Sequence, residues 1–292
     1  MTLQLQELQR LLRTGGADKT RYKEYALVCH PDLADDPDLA RSVFVELQNF
    51  MGGIHTPECV LKGKQTYTVK NKLTEGSISD IHRCDDGYVL KVALSAKENK
   101  FVKNEFDILT KLKTDKVYQR LLPDPVELLK IDNRAAAVYK TVSPLTPLTH
   151  WKELDERHVA WITKRLLMVL GHVHSCGYVH GNIDASHILV NHETHGIQLV
   201  GWSFSGEIGY APSKKPAIAG RPDDTQYDCS TDIYMGLMTL KPFLKNSRLV
   251  SFFSSCLVSQ RARPNFAWDL HEEFDLFLGK LFGKPKFVPL SL

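Results

Sequence analysis

A glycine pair at positions 52–53 separates two textures in this chain, and that change constrains any fold the chain can adopt. Before it, apolar residues return every three or four positions: Leu5, Leu8 and Leu12, then Tyr22, Ala26 and Cys29, then Leu39, Val43, Leu47 and Phe50. Such spacing lines one face of a helix. Gly15-Gly16 stops the first run and Asp18 is placed to cap the second. Asp36-Pro37 opens the third, because the N–H that proline lacks has no partner in a first turn. After Gly53, stretches rich in Val, Tyr and Thr predict strands over 66–71, 87–93 and 135–141, with a helix over 98–112. A long helix is predicted over 156–176, with Ile162, Leu166, Leu170 and Val173 inward and Gly177 at its end. Short strands follow at 187–190 and 197–200, then mainly helix to about 282. The expectation is an α+β chain: a helical unit at 1–53, a linker at 54–65, and a larger unit at 66–292, β-rich first and α-rich later.

Composition narrows the classes of function. With 292 residues, 43% of them apolar and 24% charged, the chain can bury a full core. A net charge of +3 without a long Lys or Arg run gives no ground for a nucleic-acid partner. Cys29, Cys59, Cys84, Cys176, Cys229 and Cys256 are scattered, with no C-x-x-C pair and no zinc spacing, so no structural metal is expected. His172, His174 and Cys176 resemble a ligand cluster on paper, but helix positions two apart point in different directions. The opening MTLQLQELQRLL is amphipathic, and no apolar run is long enough to span a bilayer. A cytoplasmic protein with free thiols and no membrane partner is expected.

Between the second and third helices stands His30-Pro31-Asp32, after a helix carrying Lys19, Arg21 and Lys23. A helical hairpin with an Asp/Pro turn would give the same string. In this context, residues 4–52 resemble a J domain, the module of DnaJ-type co-chaperones. The resemblance implies that His30, Pro31 and Asp32, helped by Arg21 and Lys23, contact a DnaK-type chaperone.

From about Thr66 to 282 the order of elements resembles a protein kinase, implying a bilobal fold with a β-rich small lobe and an α-rich large lobe. KLTEGSISDIHRC (72–84) sits where a glycine-rich loop would, but only Gly76 remains, with Thr74 and Ser79 at the other glycine positions. Lys91, in YVLKVA, matches the lysine that holds nucleotide phosphates. Glu105 matches its helix partner. In YVHGNIDASHILV (178–190), His180 is kept and is structural in the family. Gly181 replaces the arginine, Asn182 the catalytic aspartate and His187 the metal-binding asparagine. Gly201-Trp202-Ser203 stand where the metal-binding Asp-Phe-Gly would be. Asp184 could substitute only if the loop shifted. Asp232 matches the buried aspartate that opens a large-lobe helix. Arg263 matches the arginine whose partner follows the activation loop, for which only Asp223 or Asp224 is available.

A neutral amide at 182 cannot accept a hydroxyl proton, and general-base help is worth roughly 10²–10⁴ in rate. Mg²⁺ favours carboxylate oxygens, and positions 187 and 201 supply none. The resemblance therefore implies a pseudokinase that acts as an adaptor for a protein client or partner. It leaves open ATP binding through Gly76, Lys91 and Glu105, weak or independent of metal. Two alternatives stay open: a divergent Ser/Thr kinase or phosphotransferase with atypical residues, and a purely structural or assembly protein.

Overall fold

The computed structural model describes residues 4–14, 16–30, 33–51, 59–113, 115–141, 144–215, 221–284 and 286–291. The chain mixes helix and antiparallel sheet. It divides into two compact units, one formed by 1–72 with 82–85 and the other by 73–81 with 86–292.

In the first unit, α1 (Leu5–Thr14), α2 (Tyr22–Val28) and α3 (Pro37–Met51) enclose Leu8, Leu12, Tyr25, Cys29, Val43, Leu47 and Phe50. The face of the second helix differs from expectation. Residues 19–21 form a separate 3₁₀ turn, which Asp18 caps through the Thr20 N–H at 2.9 Å. The helix that follows buries Tyr25, leaving Tyr22 and Ala26 only partly covered. Asp36 accepts the Leu39 N–H at 3.0 Å at the start of α3. β1 (Cys59–Lys62), inside the segment read as linker, pairs antiparallel with the start of β2 (Thr66–Glu75). β2 and β3 (Ser79–Cys84) both run through the division between units.

In the second unit, β4 (Tyr88–Ala93) leads to α4 (Asn99–Leu112), a short α5 (Lys116–Gln119) and the hairpin β5 (Asp124–Ile131)–β6 (Arg134–Lys140). β6 lies between β4 and β5, antiparallel to both. No strand was expected at β5. Pro125 and charges at every third position (Asp124, Glu127 and Lys130) weaken the strand pattern, and the ladder slips between Pro125 and Glu127. The hairpin turns at Asp132-Asn133, both at positive φ, as a tight two-residue turn requires. The Asn99 side chain fixes α4 to this turn by donating to Asn133 O (2.8 Å) and accepting from Ala135 N (2.6 Å).

Next come β7 (Thr146–Pro147) and α6 (Glu156–Ser175), the longest buried helix among the described residues. Asp155 caps it through the Arg157 N–H at 2.8 Å, and Gly177 ends it at φ +86°. β8 (Tyr178–Val179), β9 (Ile188–Asn191), β10 (Gly196–Leu199) and β11 (Gly206–Glu207) are short strands on either side of the site loops. The chain finishes with α7 (Cys229–Leu240), α8 (Ser247–Cys256) and α9 (Ala267–Phe282). In the segment after α9, Leu290 is buried. Among the described residues no helix is long and apolar enough to cross a membrane.

α6 and α9 approach closely because residue 171 is glycine. A Cβ there would lie 2.5 Å from the Trp268 indole. In Gly171→Ala, overpacking of about 1–3 kcal/mol opposes alanine's helix advantage of about 1 kcal/mol. A lower urea midpoint with unchanged slope is the expected outcome. A raised midpoint would show that the indole moves freely.

Candidate functional site

The centre of the second unit is a buried ion pair. β4 brings Lys91 and α4 brings Glu105 to an Nζ–Oε2 distance of 2.5 Å, and both residues are buried. Ser203 closes a triangle: its Oγ accepts from Lys91 Nζ at 2.9 Å and donates to Glu105 Oε2 at 2.6 Å. Charges withdrawn from water need such saturation, since an unpaired one costs several kcal/mol. Asn104 on α4 donates to Ser205 O at 2.8 Å, and the Phe101 and Phe204 rings lie 5.4 Å apart. The 202–205 segment is thus fixed to α4 by polar and aromatic contacts together. One Lys91 ammonium proton remains beyond those facing Glu105 and Ser203.

Asp232, fully buried in the first turn of α7, organises the loop at 180–182. Its carboxylate accepts the N–H groups of His180 (2.7 Å) and Gly181 (2.8 Å) and lies 3.2 Å from His174 Nε2. The His180 ring donates from Nε2 to Val200 O at 3.0 Å and accepts the Asn182 N–H at Nδ1, 3.1 Å, which fixes a neutral tautomer. Burial pushes His180 down to about 4, despite the charge of Asp232. For His174, burial opposes the charged form, but Asp232 and Cys229 outweigh it and raise the ring to about 9.

Asn182, His187 and Gly201 come together. The Asn182 amide donates to Gly201 O at 3.3 Å, and His187 Nδ1 donates to Asn182 O at 2.7 Å. Gly201 sits at φ +86°, and a Cβ there would lie 2.4 Å from the His187 ring. Any side chain at 201 would meet this imidazole. Gly181, at φ +70°, is filled likewise: its Cβ position lies 2.6 Å from the Tyr210 hydroxyl, which donates to Phe204 O. Asp184 stands at the edge of this group, its Oδ1 3.4 Å from His187 Nδ1. Its Oδ1 is engaged locally by the Ser186 N–H (2.7 Å) and hydroxyl (2.5 Å) and the His187 N–H (3.1 Å). The donor set at 182, 187 and 201 is therefore an amide, an imidazole and no side chain, which does not fit Mg²⁺.

The remaining residues singled out by sequence lie elsewhere. The Gly76 N–H bonds to Ser79 O at 3.0 Å across a tight turn at 77–78, so this amide does not face an open phosphate cradle. Arg263 Nη1 bonds to Asp224 Oδ2 at 2.7 Å, both side chains buried, and its guanidinium covers the Tyr234 ring at 4.2 Å. His172 faces Leu112 O at 3.2 Å while His174 faces Asp232, so the two share no ligand position. Among the described residues, no three His, Cys, Asp or Glu side chains are grouped to hold a metal.

In the first unit, Arg21 is paired with Glu24 and lies 5.4 Å from the Tyr25 ring centre, while Lys23 and His30 are exposed. Pro31 and Asp32 lie outside the described residues. Sequence reasoning missed Asn104, Tyr210 and the role of His174. Asn104 gave one signal, its place next to Glu105. Tyr210 gave none, because its partner Gly181 is 29 positions away in sequence.

No family model matches the chain. A protein of Caenorhabditis elegans named "Putative tyrosine-protein kinase C03B1.5" is 42% identical over 55 residues, a stretch covering 19% of this chain and 16% of that protein. This supports a kinase-like region and extends to no more of either molecule.

The two histidines give opposite pH dependences. His180, held below its ordinary value of 6.5, contributes stability that is lost as pH falls from there toward about 4. His174, held above 6.5, contributes stability that is fully present below that value and lost as pH rises through about 9. Each linkage is on the order of 3 kcal/mol. In His174→Gln, the decline of the urea midpoint between pH 6.5 and 9 is expected to flatten. An unchanged alkaline slope would assign that decline to other groups.

Proposed function

We propose that the 66–292 region is a kinase-like domain that binds without transferring phosphate, and that the whole chain works as an adaptor. One observation carries the reading: the buried Lys91–Glu105 pair stands on one side while an amide, an imidazole and a glycine stand at 182, 187 and 201. A strand lysine paired to a helix glutamate is the phosphate-holding arrangement of kinases. The β4–β6–β5 order with α4 beside it, the Asp232-held loop and the Arg263–Asp224 pair agree with a two-lobed kinase architecture. The C. elegans match supports the same family.

On this reading ATP binds weakly through Lys91, without a resident metal. ATP supplies phosphate oxygens to the free ammonium proton, and this chain's part is to hold and orient them. Asn182, at the position of the family's catalytic base, carries a neutral amide that does not take the acceptor's proton. The bundle α1–α3, with His30 following α2, favours recruitment of a DnaK-type chaperone by the first unit. The exposed Lys23 serves that contact better than Arg21, whose charge is met by Glu24.

Melting of the full chain with ATP, with and without Mg²⁺, tests the nucleotide site. A rise that is the same in both and absent in Lys91→Ala is expected, because only a ligand that prefers the folded state raises the midpoint. A rise that requires Mg²⁺ would contradict it. Stimulation of a DnaK-type ATPase, lost on His30→Gln, tests the adaptor arm; no stimulation by the unaltered chain would remove it.

A further inference from the structure

Ser203 is the corner of the Lys91–Glu105–Ser203 triangle that departs from the kinase pattern, where the Asp-Phe-Gly motif has glycine at this place. Glycine would leave the Lys91 ammonium with Glu105 alone. Here the Ser203 hydroxyl accepts a second ammonium proton at 2.9 Å and donates its own to Glu105 Oε2 at 2.6 Å. Lys91 Nζ meets that same oxygen at 2.5 Å. An ammonium carries three protons, so one is left for any further acceptor.

The chain on both sides of Ser203 is pinned. The fully buried Trp202 donates from its indole to Leu199 O at 2.7 Å. Asn104 Nδ2 donates to Ser205 O at 2.8 Å and lies 3.5 Å from Ser203 O. The Tyr210 hydroxyl donates to Phe204 O, and the Ser205 hydroxyl donates to His180 O at 3.1 Å. Ser203 itself is buried. Turning its hydroxyl away would take a hydrogen bond from a buried carboxylate and a buried ammonium together, and bonds to charged groups are the costly ones to lose. The hydroxyl is therefore a fixed partner of Lys91. Further phosphate holders are missing nearby: Ser79 O engages the Gly76 N–H at 3.0 Å, and the donors at 182, 187 and 201 do not fit Mg²⁺.

We propose that Ser203 is an internal ligand that limits the Lys91 site to a single phosphate oxygen, and that the site therefore takes AMP, ADP and ATP alike. The inference rests on nucleotide binding through Lys91, as proposed above, and adds which nucleotides bind. A lysine with two free protons can hold oxygens of neighbouring phosphoryl groups, so that each added phosphate strengthens binding. With one proton left, the second and third phosphates find no donor on Lys91. Ser203 acts on Lys91 directly and is in this sense a specificity-determining residue.

The test titrates AMP, ADP and ATP against the full chain and its Ser203→Ala, Ser203→Gly and Lys91→Ala variants. EDTA removes metal, and about 0.15 M salt screens long-range attraction of the extra phosphate charge. Dissociation constants come from the rise of the melting midpoint with ligand. For the unaltered chain they should agree within about threefold, less than one hydrogen bond to a charged group would separate them. Ser203→Ala and Ser203→Gly should each tighten ATP relative to AMP by about tenfold, the worth of one such bond. Lys91→Ala should abolish the rise with every nucleotide. ATP bound at least about tenfold more tightly than AMP by the unaltered chain would overturn the proposal and leave the nucleotide reading in place. So would an ATP-to-AMP ratio unmoved in both Ser203 variants. A rise that survives Lys91→Ala, or no rise with any of the chains, would overturn the nucleotide reading and this inference with it.

Discussion

A single buried carboxylate sets the geometry of the candidate site. Asp232 has no water to solvate it and gathers the backbone N–H groups of His180 and Gly181 and the ring of His174. Those bonds hold the loop in one conformation, and the loop then fixes the rest. His180 becomes neutral between Val200 and Asn182, its edge meeting Trp202 at a centroid distance of 4.4 Å. Trp202, fully buried, anchors the segment that carries Ser203 to Lys91 and Glu105. Carboxylate, loop and ion pair form one connected polar network. Such networks favour one arrangement where their members are satisfied, as the Lys91–Glu105–Ser203 triangle is; His174 Nδ1 is a buried atom that lacks a hydrogen-bond partner.

The positions where a kinase would keep its chemistry are packed. The His187 imidazole lies where a side chain at 201 would begin, and the Tyr210 hydroxyl lies where one at 181 would begin. Both glycines have positive φ, a conformation that disfavours any replacement with a Cβ. Reinstating an aspartate at 201 would therefore require His187 to move and the backbone to change conformation. On the proposed reading, loss of catalysis is built into the packing and extends beyond the missing groups. Lys91 and Glu105 keep their places because Ser203 satisfies them from within the fold.

Much of this was legible in sequence, for reasons that differ by element. The first three helices and α6 declare themselves through apolar spacing over many turns. Lys91, Glu105, Asn182, His187 and Gly201 could be picked out because their neighbours follow a recognisable order. Tyr25 was hidden because the 3₁₀ turn at 19–21 displaced the start of α2 and so its face. β5 was hidden by a proline and a register slip, although Asp132-Asn133 marked the turn beyond it. The filling of Gly181 by Tyr210 was illegible: it depends on tertiary proximity that one sequence does not encode locally. The burial of Leu290 was also missed, because a short Pro-containing run has neither helical nor strand periodicity.

On the proposed reading, the Lys91–Glu105 site holds phosphate without driving its transfer. The most direct test is incubation of the full chain with γ-labelled ATP, Mg²⁺ and a generic protein acceptor, with mass spectrometry of both proteins. No labelled residue is expected on either. Transfer that disappears in both Lys91→Ala and Asn182→Ala would contradict that reading.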